Sequence, residues 1–150
     1  MVWGIVASFL HFLTAFGICA MVLYELFFLT QTPSLTTAKN IQRANMIYGL
    51  SALLVVLMGF IRVYYFEKGP DYYFNNPFFW IKLNAFAGVG LLSIYPSIKF
   101  FQWKPLLKAK TAPILTTQTY HILRTLLILE VIGLLVMMIS ASLMAKGVTF

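Results

Sequence analysis

Apolar residues occur in long unbroken runs rather than in the one-sided stripe of a soluble helix, and four stretches of the chain are nearly free of charge: 3–29, 44–65, 78–101 and 117–145. A helix needs about 20 apolar residues to cross a bilayer, so each stretch is long enough to span. The pattern predicts an all-α four-helix transmembrane bundle, with 1–150 forming one integral membrane domain. Thr30 to Ser34, with Pro33 among them, stop the first helix, and the second is expected to begin near Thr37 and enter the membrane at about residue 44.

Between Tyr64 and Trp80 aromatic residues alternate with turn formers, a composition suited to a loop at the headgroup boundary. Asn76 reads as the N-cap and Pro77 as the first residue of span three. Pro96 is expected to bend that span, and its Ala85, Ala87, Gly88 and Gly90 to let another helix approach closely. Pro105 and Pro113 limit helix in the basic connection that follows.

Composition agrees: 61% of residues are hydrophobic, 17% aromatic and only 10% charged, with a mean hydropathy of +0.86. The net charge of +7 resides mostly in the connections, so it argues for orientation and lipid headgroups rather than for a nucleic-acid partner. Lys39, Arg43, Lys99, Lys104, Lys108 and Lys110 fall on one side with no acidic residue. On the other, Glu67 and Asp71 offset Arg62, Lys68, Lys82 and Lys146. The positive-inside rule then puts both termini on the non-cytoplasmic side. The first apolar run has no basic flank and is too long for a signal-peptide core, so it reads as a retained span. Cys19, the only cysteine, has no partner for an internal disulfide and reads as packing.

Ionisable groups within hydrocarbon are costly and invite a function. On span one His11, Thr14, Ile18 and Glu25 share a narrow stripe, as do Tyr48, Ser51, Val55 and Arg62 on span two, and both stripes are expected to face inward. By a rise of ~1.5 Å per residue, His11 and Glu130 lie at similar depth, with Arg62 and Lys82 nearer the outer boundary. His11 suits a metal or haem ligand or a proton carrier, and equally a plain hydrogen bond to a neighbouring helix. Arg62 and Lys82 either snorkel to the interface or await an anionic group such as a propionate or a lipid phosphate. Glu67 and Asp71 are alternative counter-charges for them. Glu130 must be protonated or paired from another span, with His11 as one partner for a proton relay or for ligand orientation. Glu25 is expected at the boundary, paired with Arg43 or Arg124, His121 in solvent, and Met137 and Met138 facing lipid.

Leu10-His11-Phe12, Tyr48-Gly49-Leu50, Gly59-Phe60-Ile61-Arg62, Glu67-Lys68-Gly69, Asn76-Pro77 and Phe79-Trp80-Ile81-Lys82 together resemble a family of small bacterial four-span inner-membrane proteins classed as a domain of unknown function. The likeness covers nearly the whole chain. More distantly, an early Leu-His, a glycine-containing second span and Trp80-Ile81-Lys82-Leu83 are similar to the HemJ-type membrane protoporphyrinogen oxidases. That similarity implies haem b with His11 as its ligand and Lys82 as the third-span lysine. The chain departs from it at Tyr24-Glu25-Leu26, where those oxidases carry a Pro-Arg pair, and in its long aromatic loop. The leading expectation is therefore a multi-pass protein of the bacterial inner membrane that holds haem or a related tetrapyrrole in an outer-half pocket for a redox role. A non-catalytic accessory subunit of a larger membrane complex, a homo-oligomer, and a small transporter coupled through Glu130 are the alternatives.

Overall fold

Backbone N–H and C=O groups in lipid must be satisfied within the chain, and the computed structural model, which describes residues 2–148, does so with helices throughout. Helix α1 spans Val2–Phe28 and α2 spans Leu35–Ile61, continued by a single π turn over Arg62–Phe66. A short α3, Pro70–Phe74, precedes α4, Pro77–Gln102. After the five-residue α5, Lys104–Lys108, comes α6, Thr117–Ala145. Among the described residues four helices are long and apolar enough to cross a membrane.

Local chemistry sets the boundaries. Ser34 caps α2 by accepting from the Thr37 amide at 3.1 Å, which starts the helix at Leu35, two residues earlier than expected. Asn76 caps α4 by accepting from the Phe78 amide at 2.9 Å, with Pro77 in the first turn. Thr116 does the same for α6. The segment expected to be one aromatic loop is more regular than that. The second span continues into the π turn, Gly69 reverses the chain at φ 85°, and α3 follows. Pro96 lies inside α4, which runs on past it for a further turn and a half, and is buried.

Burial follows sequence spacing of three and four. On α1 the buried residues are Ala7, His11, Thr14, Ile18, Val22 and Glu25, and on α2 they include Ala44, Tyr48, Ser51 and Val55. Large apolar side chains such as Trp3, Phe16 and Phe27 point outward, while His11, Glu25, Ser51, Glu130 and Ser140 are inside. Water would penalise such an inside-out arrangement; lipid accepts it, since the outward faces are mostly apolar.

The bundle is two antiparallel pairs, α1 with α2 and α4 with α6, joined mainly where α1 meets α6, whereas α2 and α4 touch little. Close approach depends on Gly17, against Ser51, and on Gly133, where a side chain would run into Val89. Gly88 and Gly90, expected to serve this purpose, have no neighbour within 4 Å of where a Cβ would be. The sequence showed small residues on α4 but not which way that face would turn. At one end the two connections meet through the Leu115 amide, which donates to the Gln31 carbonyl at 2.8 Å, and Gln42 of α2 reaches the Phe100 carbonyl. This is the basic end. At the other, the aromatic end, Tyr72 donates to the Met144 carbonyl and Asn76 to that of Val148.

Candidate functional site

The π turn and the loose α2–α4 contact leave a cavity of about 290 Å³ near the aromatic end, lined from all four long helices. His11, Cys19, Val55, Gly59, Arg62, Lys82, Phe86, Leu134 and Met137 are among its walls. Met137 and Met138 both line it, so the expectation that this pair simply faces lipid holds in part only for Met138, which is also exposed on the outer surface.

His11 is 9% exposed and fixed from two sides. Its Nδ1 lies 3.0 Å from the Val55 carbonyl oxygen, which can only accept, so Nδ1 carries the proton and the neutral ring keeps its lone pair on Nε2. The ring also sits against Gly59, where an added Cβ would come within 3.3 Å of Cε1. Neither feature was visible beforehand: the partner is a backbone carbonyl, to which residue type gives no clue, and Gly59 looked like any small residue of a membrane helix.

Arg62 and Lys82 stand close enough to His11 and to each other for their charges to be felt. Arg62 donates from Nε and Nη2 to Glu67 Oε1 and lies over the Phe12 ring at 5.1 Å. Of the two expected counter-charges, then, Glu67 pairs and Asp71 does not. The backbone explains this, for the π turn closes with the Glu67 amide donating to the Arg62 carbonyl at 2.9 Å, which brings both side chains to one rim. Tyr73 donates to the other Glu67 oxygen at 3.4 Å. Burial, and then the Glu67 carboxylate, push its hydroxyl above the usual range, so it remains a donor. Lys82 has no hydrogen bond or ion pair among the described residues.

Glu130 is elsewhere. It is 1% exposed, hydrogen-bonds Tyr48 and makes no contact with His11, so the pairing expected between them does not form. The equal depth expected for the two does not hold either: Glu130 lies beside Tyr48 and near Glu25, toward the basic end, whereas His11 sits against Val55 and Gly59 near the aromatic end. Glu25 is also a correction: instead of meeting Arg43 or Arg124 at the boundary it is 1% exposed and hydrogen-bonded to Asn45. Arg124 turns to the Tyr120 hydroxyl at 2.9 Å. His121 is exposed, as expected. A second cavity, about 390 Å³, fills the gap between α2 and α4 beside Tyr48, Gly49, Ala52 and Ser93. Ile18, Val56, Phe86, Leu134 and Met137 line both cavities.

Chemically, the aromatic-end pocket offers one unprotonated imidazole nitrogen, two cations and otherwise apolar walls. No group of three or more His, Cys, Asp or Glu side chains able to hold a bare metal ion exists among the described residues. Residues 3–149 match a family model described as predicted membrane protein (DUF2214). No curated protein and no solved structure matches the chain.

Proposed function

Since this chain belongs to the DUF2214 family of predicted membrane proteins, a multi-pass membrane location is its premise, and we propose that its aromatic-end pocket binds an anionic amphipathic redox group, haem b in the first instance. The observation that carries this reading is the hydrogen bond from His11 Nδ1 to the Val55 carbonyl. It holds the ring in one tautomer with Nε2 available, which is how metal-ligating histidines are usually oriented from behind.

The donor set fits such a group. A single histidine holds a bare ion poorly, but a porphyrin brings nitrogen donors of its own and would need only one further donor from the protein, which His11 would supply. Lys82, without a hydrogen bond or ion pair among the described residues, and Arg62, shared with Glu67, suit the carboxylate edge. A cavity of about 290 Å³ is at the small end for a cofactor pocket, and a second cavity adjoins it across shared walls. When bound, the group supplies electron exchange; His11 orients it, the two cations anchor its edge, and the apolar walls exclude water. The likeness of Leu10-His11 and of Trp80-Ile81-Lys82 to the haem-binding oxidases supports the same residues, with no claim on their reaction.

The test is the absorbance spectrum of protein purified in mild detergent from haem-replete cells. A Soret band lost in His11→Ala and weakened in Lys82→Ala is expected. No Soret band, including after addition of haemin, overturns the reading.

A second reading has its own observation. Gly49, Gly88 and Gly90 offer open backbone with nothing against it, a surface suited to a further helix in a homo-oligomer or a larger membrane complex, with the chain as accessory subunit. Replacing Gly88 and Gly90 with Leu would then abolish co-purification and leave the Soret band intact. We place the chain in the bacterial inner membrane with both termini outside the cytoplasm, because the basic end gathers Lys39, Arg43, Lys104, Lys108 and Lys110 without an acid. A reporter fused to the C-terminus that is active only in the cytoplasm should stay silent.

A further inference from the structure

Glu25 of α1 and Glu130 of α6 have no part in the haem pocket, yet each is 1% exposed and leaves its Oε1 atom buried without any hydrogen-bond partner. Each is satisfied on one side only, Glu25 by Asn45 and Glu130 by Tyr48. The two carboxyl groups lie near enough to act on one another, and both act on Tyr48. Tyr48 also meets Ser93 of α4, which lines the cavity between α2 and α4. Four helices thus converge on one polar cluster whose titratable groups are Glu25, Tyr48 and Glu130. No cation joins it: Arg43 and Arg124 are both exposed, and Arg124 is bonded to Tyr120.

We propose that Glu25 and Glu130 form a proton-binding dyad within the bundle, exchanging protons by way of Tyr48 and Ser93 with the cleft between α2 and α4.

Two like charges buried together without a counter-ion cannot both persist, so a ligand must neutralise at least one. A proton is the ligand the cluster fits. Hard metal cations seek six or more oxygens, and only two oxygen atoms here are left without partners. A carboxyl that served packing alone would be bonded at both oxygens, as buried polar groups normally are. Tyr48 donates to Glu130 and adjoins Ser93, so the cluster has one polar exit into otherwise apolar walls. Because the carboxyls interact, they titrate as a pair and not as two independent acids.

Infrared spectroscopy of the full chain in lipid nanodiscs tests this. The wild type should show a protonated-carboxyl carbonyl band near neutral pH that shifts on exchange into D2O and declines as pH rises. Glu25→Gln and Glu130→Gln should each displace the titration of the remaining acid, and the double variant should lose the band. Tyr48→Phe should keep the band and slow its exchange into D2O. A wild type without the band at any pH where its helices persist overturns the dyad, and that result needs no variant to fold. So does a band that survives the double substitution, or one that Na+ abolishes at constant pH, which would make the cluster a cation site. Unchanged exchange in Tyr48→Phe overturns the route. All these outcomes are independent of whether a Soret band exists.

Discussion

The two polar regions inside this bundle differ in sign, in packing and in access. At the aromatic end the interior is cationic, with Arg62 and Lys82 around His11, and it opens into a cavity; the acids Glu67 and Asp71 stand in the aromatic segment at that end. Toward the basic end the interior is acidic, Glu25 and Glu130 are enclosed, and the lysines and arginines stand on the rim. The interior is cationic at one end and acidic at the other, while the aromatic-end rim carries both signs, Glu67 and Asp71 with Lys68 and Lys146, and the basic-end rim only cations. Only at the aromatic end does a rim acid reach inward to pair with a buried-side cation, Arg62 with Glu67. An open cationic cavity is suited to taking a ligand with its own charge. A closed acidic pair has room for little more than a proton.

The sharpest way to break the contrast is to overfill the tightly packed contact and the open one in turn. Gly133→Leu would drive a side chain into Val89 where α4 and α6 touch, and should lower stability by about 1–3 kcal/mol or prevent folding. Ala141→Leu, on the wall of the aromatic-end cavity, should cost far less, because there is space to fill. It should nonetheless reduce ligand uptake. Thermal unfolding of both variants in the same detergent makes the comparison, and equal losses would mean that the cavity is no looser than the helix contact.

Gly59→Ala probes the pocket more finely. The new methyl would sit 3.3 Å from His11 Cε1, tighter than an ordinary contact, so the ring must move by a few tenths of an ångström. We expect a stability change under about 1.5 kcal/mol, together with a clear perturbation of any His11-dependent spectrum. A spectrum unchanged by Gly59→Ala would separate the imidazole from the chromophore.

The division between the two regions also marks how far the sequence could be read. The four spans, the inward stripes on α1 and α2 and the caps at Asn76 and Pro77 all follow from local patterns, since hydropathy and capping act over a few residues. His11, Arg62 and Lys82 meet on one cavity because all three lie toward the aromatic end of their helices, Arg62 and Lys82 close to it and His11 about a turn deeper. Local patterns do not give how the helices are shifted along one another or how they are turned. Counting residues from its own span end sets Glu130 level with His11, whereas α6 places it beside Tyr48 and near Glu25, toward the basic end. Glu25 was judged by its nearness to a span end, but it continues the stripe of Ile18 and Val22 and is carried inside with them. The spacing that placed His11 inward held the same information for Glu25. Val55 lies on the inward stripe that the spacing predicts, but its bond to His11 could not be read, because what it contributes there is a carbonyl.

Arg62→Ala tests whether the rim pair is structural. Because Arg62 and Glu67 are both partly solvent-exposed, the loss should be about 0–1 kcal/mol and should shrink further in high salt. The cavity would keep only Lys82 for an anionic edge, so ligand affinity should fall more than stability does. A stability loss well above that range would assign the guanidinium to holding the π turn in place, with any role toward a ligand secondary.

An effect confined to alkaline solution concerns Tyr73, where the sign follows from its environment. Burial and the Glu67 carboxylate raise its hydroxyl above the ordinary value of about 10, so the folded form holds that proton more tightly than the unfolded chain does. The associated stabilisation is complete below the unfolded value and is lost as pH rises through the folded one, which places the whole effect in alkaline solution. Wild type should therefore lose stability above about pH 10 more steeply than Tyr73→Phe, which has no proton to lose there. Near neutral pH the variant should lose only the weak 3.4 Å bond to Glu67, about 0.5–1.5 kcal/mol at most. Tyrosinate absorbance followed during alkaline titration would check the assignment, since one late-titrating residue should be missing from the variant. Parallel alkaline profiles for the two proteins would mean that the Tyr73 hydroxyl is no better protected than the tyrosines exposed around it.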